Sequence, residues 1–243
     1  MEDRLEGRNP VMEALRAGRE IDKIFIKKGE IDGSLIPLVK LAKRSGIVVS
    51  EVERQKLDQM SETGAHQGVV ALCAMHEYVG VDDILARAAE KGEAPFLVIL
   101  DKVSDPHNLG SVLRTANGAG VHGVIIPKHG AVGLSATVAK ASAGAIEFTP
   151  VAKVTNLAAE IERLKKLGVW VYGADGAAKQ SVYQTDFSGP AALVLGSEGE
   201  GISRLVREKC DVLVNIPMRG EINSLNVSVA AAIFMYEAAK NRL

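Results

Sequence analysis

The chain has 243 residues, of which 47% are hydrophobic and 24% are charged, and its formal net charge at pH 7 is −1. These values are typical of a globular protein, and no apolar run reaches the ~20 residues that a membrane-spanning helix needs. The charged N-terminus lacks the apolar segment of a secretory signal, so we expect a cytoplasmic protein. The net charge neither requires nor excludes a nucleic-acid partner, because a local basic patch is enough to attract phosphate.

The cysteine pattern argues against a metal centre. Cys73 and Cys210 are the two cysteines, and neither stands in a CxxC pattern or in a cluster of cysteines and histidines. The sequence therefore predicts free thiols and no metal site.

Residues 1–76 have the pattern of a small α/β domain. Asn9-Pro10 indicates the start of a helix, with Asn9 as the cap and Pro10 at the first helical position. Alternating apolar and polar residues predict a strand at 21–26. Further patterns predict a helix at 34–44 and strands at 47–49 and 68–74, the last of them central in its sheet.

Residues 77–94 are expected to be a linker. They contain a pattern typical of one short helix, capped by Asp82 or Asp83 and ended by Lys91-Gly92.

From residue 95 to residue 243, short apolar runs alternate with helical patterns. Several runs are apolar at consecutive positions, which predicts strands buried on both faces of a parallel sheet. The predicted strands are 96–100, 121–126, 145–151, 169–172, 191–195 and 212–216. A helix is expected at 155–167, capped by Thr155 or Asn156. The apolar segment 226–240 is either core or a subunit interface, and the pattern leaves both open.

Three polar loops follow predicted strands, where ligands of open parallel sheets bind. The first runs from residue 101 to 110 and contains Asp105-Pro106, which favours a turn. Asn108 lies in this loop, and Arg114 follows it. Both side chains can reach the end of the strand if Asn108 lies at the start of a helix. The alternative is that Asn108 only caps the helix and that Arg114 is a solvated surface charge.

The second loop, 196–201, has the sequence GSEGEG. Glycines after a strand let backbone N–H groups approach a ligand closely. Their GxxGxG spacing is not the dinucleotide-binding pattern, and no GK[ST] element of a phosphate-binding loop is present. The carboxylates of Glu198 and Glu200 suit a cation or a sugar hydroxyl better than a phosphate. A plain turn is the alternative interpretation.

The third loop, 216–226, is long and polar, and it runs into the apolar C-terminal segment. Asn223, Ser224 and Asn226 offer several hydrogen-bonding groups. One of them serving as a helix cap is the alternative to a binding role. The three loops lack the residues of a Ser-His-Asp triad, a cysteine nucleophile or a metal site.

At these loops the sequence resembles the SpoU/TrmH class of RNA ribose methyltransferases, within the SPOUT superfamily. The three motifs of that class match NLGSVLRTANGAGVHGVIIP (108–127), LVLGSEGEGIS (193–203) and IPMRGEINSLNVSVA (216–230), in that order. The N-terminal GRNPVMEAL and HQGVVA are similar to the RNA substrate-binding domain of one branch, the RlmB-type rRNA enzymes.

The resemblance implies an α/β fold in two parts. A small L30e-like α/β domain at 1–76 would bind RNA, and the parallel-sheet domain at 95–243 would carry a deep trefoil knot, an exception to the rule against knotted chains. It also implies a homodimer with the C-terminal helix in the interface. The implied reaction transfers a methyl group from S-adenosylmethionine to a ribose 2′-hydroxyl of RNA.

The resemblance further implies the site residues by motif position. The knot loops would enclose the methyl donor, and the polar positions would face the RNA ribose. The implied cofactor-binding residues are Gly196, Ile216 and Leu225, with Pro217, Met218 and Gly201 as weaker candidates, and the implied catalytic residues are Arg114, Asn108, Glu198, Ser224 and Asn226.

The resemblance implies the target less firmly than the reaction. In the RlmB-type branch the target is a guanosine of large-subunit (23S) rRNA, whereas relatives with the same layout modify tRNA or other rRNA sites. Two other classes compete: a catalytically inactive RNA-binding module of the same fold, and a nucleotide-dependent oxidoreductase, which the missing dinucleotide pattern disfavours.

Overall fold

The computed structural model describes residues 4–29, 33–73, 76–240 and 242. The chain divides into two compact units, the first comprising Met1–Glu77 with Gly133–Ala136 and the second comprising Tyr78–Val132 with Thr137–Leu243. Ala74, at the end of the predicted strand 68–74, lies outside the described residues, as do the outermost residues of the predicted domains, 1–3 and 243. None of the described helices combines the length and the apolar character needed to cross a bilayer.

In its described residues, the first unit is a four-stranded sheet with three helices. Its order is β1-β4-β2-β3, with β2 and β3 parallel and the other pairs antiparallel. The apolar run of the fourth strand is almost wholly buried because this strand has a neighbour on each side, as the sequence predicts. The elements are β1 (Arg4–Glu6), α1 (Arg8–Arg16), β2 (Ile21–Lys27), α2 (Leu35–Arg44), β3 (Val48–Val52), α3 (Arg54–Met60) and β4 (Val69–Cys73).

The first helix begins earlier than its sequence predicts. Its N-cap is Gly7, with φ +89°, and not Asn9, so Pro10 lies in the first turn but not at its first position. The side-chain oxygen of Gln67 accepts a hydrogen bond from the backbone N–H of Arg8 at 3.3 Å. This contact satisfies a helix-end donor from a distant segment, which a local capping pattern cannot reveal.

The carboxylate of Glu6 holds the loop that precedes β4. It accepts hydrogen bonds from the Ser61 hydroxyl at 2.5 Å, the Glu62 N–H at 2.5 Å and the Thr63 hydroxyl at 2.7 Å. The hydrogen bond from Ser61, with those from Glu62 and Thr63, lowers the pKa of Glu6 from 4.5 to about 2, although partial burial opposes the shift. The loop is therefore attached to β1 by a charged acceptor.

The second unit is built on a seven-stranded parallel sheet of order β7-β6-β5-β10-β8-β11-β9. The parallel class predicted from consecutive apolar residues is confirmed, since β5 is buried at every position. Its strands are β5 (Phe96–Asp101), β6 (Gly123–Pro127), β7 (Val151–Val154), β8 (Trp170–Ala174), β9 (Gln180–Ser181), β10 (Ala191–Gly196) and β11 (Val212–Asn215). The accompanying helices are α4 (Val81–Glu90), α5 (Pro106–Gly118), α6 (Ala136–Ala141), α7 (Leu157–Lys166), α8 (Arg204–Lys209) and α9 (Val227–Ala239).

Nearly all of the segment expected to be a linker, 77–94, belongs to this second unit, which begins at Tyr78. Its helix α4 packs Val81 and Ile84 into the core that also contains Ile99 of β5 and Val194 of β10. Neither Asp82 nor Asp83 is the N-cap that the sequence predicts. The N-cap is Gly80, and the Asp83 carboxylate accepts the backbone N–H of Gly80 at 2.7 Å. A short amphipathic helix between two domains gives no local signal of which core it joins.

One predicted strand of the second unit is wrong. Residues 145–151 do not form a strand: Ala145–Glu147 is a 3₁₀ helix after Gly144, which has φ +87°. The strand begins only at Val151. The helix predicted at 155–167 is confirmed as α7, with the Asn156 side chain as its cap.

The first testable consequence concerns Glu6 and acid. Because its folded-state pKa is depressed, the contribution of Glu6 to stability is complete above pH 4.5 and is lost as the pH falls toward about 2. We expect Glu6→Gln to lower the free energy of unfolding by about 1–3 kcal/mol at neutral pH and to have little effect at the acid end of this range. Urea unfolding followed by circular dichroism measures both values. The exposed Glu20→Gln is the control, and equal losses for Glu6→Gln at neutral and acid pH would contradict the assignment.

Candidate functional site

The first polar loop leads into α5 through an aspartate cap. Asp105 is the N-cap, its carboxylate accepts the His107 N–H at 2.8 Å, and Pro106 occupies the first helical position. Asn108 is therefore not the cap but lies in the first turn, where it is 7% exposed. Its side chain is left free to bond outside its own helix.

Three side chains, one from each polar loop, form a hydrogen-bonded cluster that we call the amide–carboxylate triangle: Asn108, Glu198 and Asn226. The Asn108 amide donates to Glu198 Oε1 at 3.0 Å, and the Asn226 amide donates to Asn108 Oδ1 at 2.9 Å and also to Glu198 Oε1. The three loops are up to 118 positions apart in sequence. The triangle therefore joins them into one site.

Asn226 also caps the last helix. Its Oδ1 accepts the Ser228 N–H at 2.9 Å and the Val229 N–H at 3.4 Å. The two interpretations of Asn226 from sequence, helix cap and site residue, are thus compatible, because the oxygen serves the helix and the nitrogen serves the triangle. Glu198 itself is exposed, and among the described residues its Oε2 makes no hydrogen bond.

The second loop turns back sharply on itself. Gly201 donates its N–H to the Ser197 oxygen at 2.9 Å, and Gly199 and Gly201 have φ +88° and +68°. A Cβ atom on Gly196 would lie 1.9 Å from the backbone carbon of Gly201. Only glycine fits at position 196, which explains a glycine directly at the end of a buried strand.

A buried carboxylate fixes the far end of this loop. Asp101, at the end of β5, is 4% exposed, and its Oδ2 accepts the Ser203 N–H at 2.7 Å. Asp101 is paired with Gly196 across the two neighbouring strands. Sequence reasoning missed this residue, although a carboxylate directly after the apolar run 96–100 at a strand end was a usable signal.

A cavity of about 400 Å³ opens between the second and third loops and the start of α9. Its wall combines apolar side chains, such as Val214 and Phe234, with loop backbone. Seven of the predicted site residues line it: Gly196, Glu198, Gly201, Ile216, Met218, Ser224 and Leu225.

The other predicted residues lie outside this wall. Pro217 is exposed and does not line the cavity, whereas Asn108 and Asn226 adjoin it through their bonds to Glu198. Arg114 is exposed on α5, about 9 Å along the helix axis from Asn108. With the described residues it makes neither a hydrogen bond nor an ion pair. Arg114 therefore differs from Asn108, Glu198 and Asn226, which are hydrogen-bonded to one another, and from Ser224, which lines the cavity.

Asp175 is a second residue of the cavity wall that the sequence did not reveal. It follows β8, and its carboxylate accepts the Ala177 N–H at 2.8 Å and also bonds Arg207. Partial burial raises its pKa, but the hydrogen bonds from Arg207 and Ala177 outweigh that effect and leave the pKa below its ordinary value. Asp175 is therefore a fixed negative charge at the cavity.

The cavity suits a small amphipathic ligand. Its volume falls within the ~300–1,000 Å³ of typical small-molecule sites, and glycine backbone lies beside apolar side chains. The neighbouring triangle supplies a carboxylate oxygen with no hydrogen bond to any described residue. The arrangement can hold a ligand in the cavity and present a second reactant to Glu198.

Comparisons with known proteins agree with this geometry. Residues 95–236 match the SpoU rRNA Methylase family, and residues 4–79 match the RNA 2′-O ribose methyltransferase substrate-binding domain. YacO of Bacillus subtilis (strain 168), named for the TrmH family of tRNA/rRNA methyltransferases, is 50% identical over 99% of this chain and 96% of its own.

Solved structures give the same answer. The SpoU methyltransferase AviRb from Streptomyces viridochromogenes, in complex with AdoMet, has 26% identity and a TM-score of 0.62 over 99% of this chain and 90% of its own. The AdoMet-bound rRNA methyltransferase from Sinorhizobium meliloti has 25% identity and a TM-score of 0.61 over 99% of this chain and 87% of its own.

All of these matches point to one class of protein, the RNA methyltransferases. The chain belongs to the SpoU rRNA Methylase family, whose match covers more than half of it. The family predicted from the three motifs is therefore confirmed. A particular closeness to the RlmB-type branch and the trefoil knot stay predictions.

Proposed function

We propose that the protein transfers the methyl group of S-adenosylmethionine to a ribose 2′-hydroxyl of RNA, with a guanosine of 23S rRNA as the target. The observation that carries the proposal is the amide–carboxylate triangle, which joins the three family motifs beside the cavity. The second candidate target is a tRNA or another rRNA site, because the Bacillus relative is named for both tRNA and rRNA. An enzyme acting on ribosomal RNA would work in the cytoplasm.

The cavity residues fit the methyl donor. S-Adenosylmethionine supplies a methyl group on a sulfonium centre, from which a neutral thioether leaves. The apolar wall around Ile216 and Leu225 suits its nonpolar parts, and the close backbone at Gly196 and Gly201 offers peptide groups to its polar parts. Met218 lines the same wall, while Pro217 would act by shaping the third loop.

The task of the remaining residues is to position the ribose and to accept its proton. Oε1 of Glu198 is occupied by the amides of Asn108 and Asn226, which fixes the orientation of the carboxylate. Oε2 is left to receive the hydroxyl proton. Ser224 lies on the cavity wall, where its side chain can hydrogen-bond the ribose. This bond would turn the ribose 2′-oxygen toward the cavity.

Arg114 has a different role from Glu198. A guanidinium stays protonated in proteins, so Arg114 does not act as the base. Its exposed position on α5, with no ion pair to the described residues, suits a contact to an RNA phosphate. From there its charge would also stabilise the developing negative charge on the ribose oxygen.

We also propose that the protein is a homodimer that packs through α9. This helix is apolar on the side turned to its own unit and also on its outer side, where Val229 and Tyr236 are 48% and 56% exposed. Exposed large apolar side chains on one helix are typical of a subunit contact.

The inactive RNA-binding module is the less favoured function, because every polar motif residue is present.

The proposed reaction is tested by mapping methylated riboses. Purified protein, S-adenosylmethionine and an unmodified 23S rRNA transcript are incubated, and 2′-O-methyl positions are located by their resistance to alkaline cleavage. We expect one new methylated guanosine. Methylation of a tRNA transcript instead would select the second candidate, and methylation of a base would contradict ribose chemistry.

Arg114 is tested by comparing Arg114→Ala and Arg114→Lys in single-turnover methylation. We expect about a 100-fold loss of rate for Ala and a partial recovery for Lys, which keeps the charge but not the bidentate geometry. The exposed Asn117→Ala on the same helix is the control. Near-normal chemistry in Arg114→Ala would remove Arg114 from the mechanism.

A further inference from the structure

A second cavity, of about 830 Å³, lies wholly within the first unit. Its wall contains four cationic side chains, Arg8, Lys27, Lys28 and Arg54, together with His66 and Gln67. We call this cavity the basic cleft. It plays no part in the methyl-transfer site described above.

A hydrogen-bonded loop, residues 64–68, lines part of the basic cleft. His66 is 5% exposed; its Nδ1 accepts the Gly68 N–H at 3.0 Å, so Nε2 carries the proton and donates it to Asp58 at 2.9 Å. Gln67 is held at φ 51°, a conformation that is rare for a residue with a side chain. The hydrogen bonds that the Glu6 carboxylate accepts from Ser61 and Glu62 fix the same loop from its other end. The surface is therefore already shaped before a ligand binds.

Among the described residues, two cations of the basic cleft pair with acidic side chains. Lys28 pairs with Glu53 at 3.2 Å, and Arg54 lies 4.0 Å from Asp58. Both pairs are exposed to solvent and are therefore weak. Lys27 is exposed and makes no ion pair with any described residue.

Two hydrogen bonds orient Arg8 at the cleft. Its Nε donates to the Gln67 carbonyl oxygen at 3.0 Å, and its Nη1 donates to the Ser34 hydroxyl at 3.3 Å. These bonds fix the plane of the guanidinium. A guanidinium that is oriented in advance is well suited to phosphate oxygens.

We propose that the basic cleft binds the phosphate backbone of the RNA substrate, independently of its base sequence. The inference rests on the proposed function and goes beyond the substrate-binding match of this domain, because it names the face and the chemical groups that make the contact. The cleft offers cations and no stacked aromatic platform among its described lining residues, so it suits phosphates better than bases. The unit would thus hold the RNA, and the target nucleotide would be selected elsewhere.

The test measures how RNA affinity depends on salt. Filter binding of the full-length protein to a labelled 23S rRNA transcript gives Kd at several salt concentrations. The variant is Lys27→Gln/Arg54→Gln, which leaves Arg8 in place because Arg8 also supports the loop. Each phosphate that the variant no longer neutralises should reduce the slope of log Kd against log salt by about 0.7–0.9, so the double variant should have a slope smaller by about 1.5.

The matched control is Lys40→Gln/Lys43→Gln, two exposed cations of α2 that do not line the cleft. It should keep the wild-type slope, and calorimetry should give unchanged S-adenosylmethionine affinity for both double variants. Equal slopes for the cleft variant and wild type, or equal reductions in both double variants, would overturn the proposal. Labelled polyglutamate that binds the cleft variant more weakly than wild type, with no change in the RNA salt slope, would assign the cleft to an acidic protein and overturn the proposal as well.

The result is separable from that of the proposed function. If the wild-type protein binds the transcript but leaves it unmethylated, the proposed target is wrong while the slope difference still supports the cleft. If methylation occurs and the slope difference is missing, the cleft assignment alone fails.

Discussion

The hydrogen bonds among Asn108, Glu198 and Asn226 are the interaction on which the site depends. They connect three loops that are far apart in sequence, at the point where the parallel strands β5, β10 and β11 end. One carboxylate oxygen accepts both amides, and the other makes no bond to the described residues. Because a carboxylate whose neighbours fix its position needs no reorganisation when a reactant arrives, the geometry suits catalysis by positioning.

The parallel sheet and the position of its polar loops could be predicted from sequence, since consecutive apolar residues identify strands buried on both faces. The family could be identified because its motifs are long and ordered. Local patterns failed where distant residues contribute: Gln67 accepts the backbone N–H of Arg8 at the start of α1, and the core of the second unit includes α4. The strand expected at 145–151 was wrong because a left-handed glycine begins a 3₁₀ turn there.

The site was predicted only in part, for a similar reason. Motif position predicted seven residues of the cavity wall. It gave no information on Asp101 or Asp175, whose roles depend on Ser203 and Arg207 in other segments. Motif position also grouped Arg114 with the polar residues, whereas the structure has it exposed two turns along α5. Under the proposed function, the triangle positions the ribose, whereas Arg114 contacts a phosphate and stabilises the charge that develops on the ribose oxygen.

Single-turnover methylation by Glu198→Gln tests the central claim most directly. Glutamine keeps an oxygen that can accept both amide hydrogen bonds, so the triangle and the cavity should persist, but it cannot take a proton. We predict about a 100-fold slower transfer with unchanged S-adenosylmethionine affinity, while Glu200→Gln in the same loop should react normally. A normal rate in Glu198→Gln with intact affinity would contradict the claim and leave the triangle a purely structural contact.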